Sequence, residues 1–138
     1  AGHHRIAELS GDFPRLDDAV AGRRHRHGYV ATFAAGAPDR TVPGADGQFD
    51  SITAYDLELG TESSYLLGPG RSIGDPVVAS APSGTEGEGW VMSYVYDRAT
   101  DRSEVHILEA TDVAGGPVAT IAVPRRVPFG FHGSWLPA

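Results

Sequence analysis

The stretch Trp90-Val91-Met92-Ser93-Tyr94-Val95-Tyr96 decides the fold class. It is dense in β-branched and aromatic side chains, the composition of a strand and not of a surface helix. A turn follows, and Glu104–Glu109 then alternates through Val105, Ile107 and Leu108 as a second strand. Further strands are expected upstream at Tyr29–Ala34, Phe49–Leu59, Ser63–Leu67 and Val77–Ser80, and downstream at Val118–Val123. Turn residues separate them at Ala37–Gly47, Gly68–Gly74, Ala81–Gly89 and Thr111–Pro117. Helical periodicity is confined to a short candidate, Asp17–Ala21, followed by Gly22. The pattern predicts an all-β chain of antiparallel strands at roughly 8–14-residue spacing.

A weak internal repeat refines this. Tyr55-Asp56 leads through a turn to Glu62-Ser63 and an apolar strand. Tyr96-Asp97 leads to Asp101-Arg102-Ser103-Glu104 and another. The two Tyr-Asp pairs lie 41 positions apart. That is the spacing of propeller blades, while sandwich and barrel readings stay open. Seven strands make somewhat less than two four-stranded blades, and a propeller closes with about 4–8.

Composition narrows the function. The chain has 138 residues, with 18 glycines and 10 prolines, a usage suited to short strands and many turns. Eighteen acidic residues against 11 basic give a net charge of −7, which argues against nucleic acid as a partner. There is no cysteine, so disulfides, thiolate metal sites and thiol catalysis are excluded. Lysine is absent too, which removes Schiff-base chemistry on this chain. No apolar run is long enough to span a bilayer. No signal peptide is visible, and the expected location is the cytoplasm, with membrane association as an option.

Any metal must therefore be held by His, carboxylate or backbone oxygen. Of six histidines, His3 and His4 read as a frayed terminus or cloning remnant. His25 and His27 lie in Arg23-Arg24-His25-Arg26-His27, a basic run that would repel a cation. His106 reads as a surface or edge position. His132 differs, because it is the one ionisable side chain in the apolar segment Val127-Pro128-Phe129-Gly130-Phe131-His132-Gly133-Ser134-Trp135-Leu136-Pro137. A neutral imidazole there suits a metal; the alternative is a buried His bonded to a backbone carbonyl. Asp12 and Asp75 could each orient a ligating His, or serve as turn residues. Asp101 and Glu104 read as a hairpin rim. Ser134 lacks a hydrolase setting, and Gly68-Pro69-Gly70 is no phosphate loop.

Three segments in order resemble the carotenoid cleavage oxygenase family. They are Asp12-Phe13-Pro14-Arg15-Leu16-Asp17 with the following Gly22–Tyr29, then Glu88–Asp97 with Asp101–Glu104, and finally Arg125–Pro137. The resemblance implies a seven-bladed β-propeller carrying a non-haem Fe(II) ion, Fe(2+), on its axis, held by four His. It implies O2-dependent cleavage of a C=C bond in a carotenoid, apocarotenoid or stilbene, giving two carbonyl products. On that pattern His132 is the last iron ligand. Asp12 and Asp75 stand where the family usually has Glu that hydrogen-bonds a ligand His, one methylene shorter in reach. Phe129, Phe131 and Trp135 become tunnel-side or packing residues near the iron. The other three ligands would lie upstream of Ala1. Residues 1–138 are thus expected to be the C-terminal part of the propeller domain, about two blades, inactive alone and completed by blades from missing N-terminal sequence. A contrasting expectation is a non-enzymatic all-β domain that binds a partner through an apolar face or sheet edge.

Overall fold

The computed structural model describes residues 10–34 and 48–136. The expected turn at Ala37–Gly47 and the pair His3-His4 lie outside them. Nine strands follow in chain order: β1 Gly11–Arg15, β2 His27–Thr32, β3 Ser51–Asp56, β4 Thr61–Leu66, β5 Arg71–Ile73, β6 Val77–Ser80, β7 Gly89–Asp97, β8 Arg102–Glu109 and β9 Pro117–Val123. The strands read from sequence are present, most with shifted ends. The count of seven is corrected by β1 and β5. β1 carries Pro14 and has no β-branched residue, whereas β5 is three residues long inside a segment read as turn. The candidate helix at Asp17–Ala21 is a single 3-10 turn, Asp18–Val20. The Asp17 carboxylate accepts the Ala19 N–H and caps it.

The strands form two antiparallel layers. The first is the meander β1-β2-β3-β4. In the second, β5 pairs with Val95–Asp97 of β7 and β6 with Gly89–Met92, and β8 and β9 follow outward. β5 and β6 are therefore two halves of one edge strand, interrupted at Gly74-Asp75-Pro76. Each layer is four strands wide. Gly89, where β7 starts, has φ +125, and a Cβ there would collide with the Ala79 carbonyl, so only glycine brings the two backbones this close.

Strand alternation places the core between the layers. On β7, Val91, Ser93 and Val95 turn inward, while Trp90 and Tyr94 face out. Tyr29 and Ile52 from the first layer meet Ile73, Val91, Val95 and Leu108 from the second, with Ala110 and Val113 closing one end. Each fully buried side chain of this size contributes about 1.5–3 kcal/mol. Tyrosine hydroxyls supply two of the polar links that cross the interface. Tyr29 Oη donates to the Ala110 carbonyl at 3.2 Å. Tyr65 Oη lies 2.9 Å from His106 Nδ1, whose Nε2 is 2.9 Å from Glu104.

His106 is thus not the surface position its alternation suggested: it is 3% exposed. It shares a face with Leu108, and that face is the one the first layer covers. Glu104 is likewise a strand residue holding His106, while Asp101 does sit in the β7–β8 turn. The basic run before β2 is tied down by acidic partners. Arg26 pairs with Asp56 at 2.6 Å, and Glu86 accepts the N–H groups of Arg26 and His27.

The opposite face of the second layer is crossed by the irregular segment 124–136. Val127 N–H donates to Ser103 Oγ at 2.9 Å, and the Arg126 guanidinium lies over the Tyr96 ring at 4.7 Å. Phe129 meets the Tyr96 ring edge-on at 5.9 Å. Among the described residues no helix is long and apolar enough to cross a membrane.

Candidate metal-binding site

Three backbone irregularities converge at the break in the interrupted edge strand. The gap between β5 and β6 presents Asp75, whose side chain is 5% exposed, next to the fully buried Pro76. The register of β1 slips between Asp12 and Arg15, a bulge in which Phe13 takes φ +56. The segment after β9 returns across the second layer and delivers His132 and Gly133.

One oxygen of Asp75 gathers these pieces. Its Oδ2 lies 3.2 Å from His132 Nδ1, accepts the Gly133 N–H at 3.3 Å, and takes a hydrogen bond from Arg15 at 2.7 Å. The same terminal nitrogen of Arg15 also donates to the Gly133 carbonyl at 2.6 Å. An ionised carboxylate only accepts, so Nδ1 carries a proton in this contact; in the neutral ring that places the lone pair on Nε2. No hydrogen bond to Nε2 is present among the described residues. The Phe13 ring stands edge-on to the imidazole at 5.5 Å and 81°, and also packs on Phe49 at 5.6 Å. This is the donor arrangement a metal-ligating histidine requires: a fixed tautomer, a held ring plane and a bare nitrogen.

The partner of Nδ1 is a carboxylate and not the main-chain carbonyl of the alternative reading. The ring is not enclosed, however; the His132 side chain is 67% exposed. Among the described residues no group of three or more His, Asp or Glu side chains converges on a point that could hold a metal.

The other sequence candidates divide. Phe129 and Phe131 line a cavity of about 340 Å³ together with Asp75, Met92, Tyr94 and His132. Phe131 is 80% exposed and does not enclose the imidazole. Trp135 is outside that lining and half exposed. Asp12 is not joined to His132; its Oδ1 accepts the Phe13 N–H at 2.8 Å on the exposed side of the bulge. Arg15 and Phe13 were not singled out from sequence, although both sit in the segment quoted for Asp12. Pro14 inside a strand was the available signal, since proline favours bulges and edges.

A family model described as retinal pigment epithelial membrane protein matches residues 2–137. The chain belongs to the carotenoid cleavage oxygenase family. It is 31% identical over 142 residues to carotenoid 9,10(9',10')-cleavage dioxygenase 1 of Pisum sativum, covering 99% of this chain and 26% of that protein. It is 32% identical over 125 residues to the apocarotenoid-15,15'-oxygenase of Synechocystis, covering 90% of this chain and 24% of the relative. The crystal structure of the lignostilbene dioxygenase of Pseudomonas brassicacearum superposes with a TM-score of 0.86 at 27% identity, over 96% of this chain and 28% of that one. A cobalt-substituted form of the Synechocystis oxygenase superposes at 0.82 with 27% identity, over 96% and 26%. The chain therefore spans about a quarter of the length of these carotenoid cleavage oxygenase relatives. Its two four-stranded antiparallel layers superpose on part of propeller enzymes of this family, and family members are metalloenzymes.

Proposed function

We propose that residues 1–138 are the C-terminal part of a non-haem Fe(II) dioxygenase that splits a C=C bond of a carotenoid, apocarotenoid or stilbene into two carbonyl products. The observation that carries this reading is the contact of 3.2 Å between Asp75 and His132 Nδ1, which leaves Nε2 free to bind a metal. His132 would hold the iron together with imidazoles from other blades. Bound iron would supply the binding and activation of O2. The chain's own part is to fix a ligand. Asp75 holds the Nδ1 proton, Phe13 sets the ring plane, and the Gly133 N–H seats the carboxylate beside the segment that carries His132. No general acid or base is asked of this chain.

The short match to longer relatives supports the reading that the remaining ligands and blades come from sequence outside this chain, and that the chain alone does not turn over. An apolar polyene or stilbene suits the apolar lining of the cavity beside His132, with Met92, Tyr94, Phe129 and Phe131. A cysteine-free cytoplasmic protein collecting such a substrate at a membrane surface fits the exposed Phe131, Trp135 and Leu136.

The deciding experiment measures iron content and O2-dependent cleavage of an apocarotenoid and a stilbene by the complete protein carrying this chain. His132→Ala is expected to lose bound iron and turnover together. Full iron and full turnover in that variant would remove the ligand assignment.

A further inference from the structure

We propose that Arg15 is a positioning residue for the metal site, acting through Asp75 and the backbone of Gly133. The inference rests on the reading of His132 as a ligand. One terminal nitrogen of Arg15 carries two hydrogens, and both are used: one goes to Asp75 Oδ2 at 2.7 Å, the other to the Gly133 carbonyl at 2.6 Å. The first contact fixes the oxygen that receives His132 Nδ1. The second holds the Gly133–Ser134 peptide, one residue beyond His132. A single cation thus sets both ends of the imidazole's support, its side-chain partner and its main chain.

Three features of the site give Arg15 this role. Asp75 is nearly enclosed, and a carboxylate withdrawn from water needs a charged partner to keep accepting several hydrogen bonds. Arg15 supplies that partner from the other layer: it lies on β1, whereas Asp75 lies between β5 and β6. The carboxylate is therefore held from outside its own sheet, which fixes its direction. Finally, the buried Nε–H of Arg15 has no acceptor among the described residues. An orphaned buried donor lowers stability, and an apolar side chain would fill the same space without that penalty. The value of arginine here lies in where its terminal nitrogen reaches.

Outer partners of a metal-ligating histidine commonly change metal affinity by roughly 10–100-fold when removed. The test uses the complete protein loaded with Co(II), and reads metal affinity and the visible Co(II) band instead of turnover. Arg15→Met keeps the apolar stem and removes the donor; it should weaken Co(II) binding by roughly 10–100-fold and shift the band. Arg15→Lys should recover part of the affinity. In an Asp75→Asn background Arg15→Met should add little, because its effect passes through that carboxylate. Unchanged affinity and band in Arg15→Met overturn the inference, as does an equal loss in the Asp75→Asn background. Thermal melts report whether each variant is folded. If Arg15→Met does not fold, Arg15→Gln is judged by the same two criteria. His132→Ala separates the two levels. If it loses Co(II) while Arg15→Met does not, only the role of Arg15 falls. If it binds Co(II) as the parent does, the ligand reading falls and takes this inference with it.

Discussion

Tyr29 shows how one side chain carries both packing and a pH dependence. Its ring is buried between the layers and its hydroxyl donates to the Ala110 carbonyl. Burial pushes the phenol up to about 12, and the negative charges of Asp17 and Glu86 add to it. The neutral phenol is the form the fold favours. Its contribution is complete below the ordinary tyrosine value of about 10 and is lost as pH rises through the folded value. Tyr29→Phe should cost about 0.5–1.5 kcal/mol at neutral pH through the lost hydrogen bond, and should flatten the alkaline limb of a stability–pH curve. Denaturant titrations from pH 8 upward check both. At the same scale, Phe13 holds a left-handed backbone conformation at a cost of about 1–2 kcal/mol for a residue with a Cβ. The strain sits where its ring meets His132, as strain tends to do at sites that need a fixed geometry.

At the scale of elements, the β3–β4 connection is held by Asp56. Its carboxylate takes the Arg26 guanidinium and the N–H groups of Glu58 and Leu59. The Arg26 hydrogen bond first, then the Leu59 N–H, hold Asp56 well below the usual carboxylate range, against the opposing effect of burial. A depressed carboxylate stabilises above its unfolded value, near about 4, and that stabilisation is lost as pH falls further. Asp56→Asn should therefore lower the melting temperature at neutral pH and make the acid limb shallower, read by melts from pH 7 down to 3. Elements also show what was legible in the sequence. β7 and β8 could be read because alternation over eight or nine residues is a strong signal. β1 could not, since its bulge breaks the period and Pro14 argues against a strand. β5 is too short to carry a period at all. His132 and Asp75 stood out within apolar surroundings, but Arg15 owes its place to a register slip that leaves no mark in residue types. The burial of His106 was readable in part: its parity with Leu108 placed both on one face, though not which face would be covered.

At the scale of the molecule, the two layers stand or fall through a shared interior. Leu108 is fully buried among residues of both sheets. Leu108→Ala should cost about 2–5 kcal/mol, and both layers should lose structure in one transition because neither owns the core. Fluorescence from Trp90 and amide exchange in β3 would then report the same midpoint; separate midpoints would show that the layers are independent units.

The outermost ribbon of the second layer carries a practical liability. β9 reads Pro-Val-Ala-Thr-Ile-Ala-Val, bears no charge, and nothing pairs with its outer side among the described residues. Such a margin is a ready template for another copy to add itself in register. Anyone preparing this polypeptide by itself should expect gelling at high concentration, and a lysine at an exposed β9 position such as Thr120 is the natural guard against it.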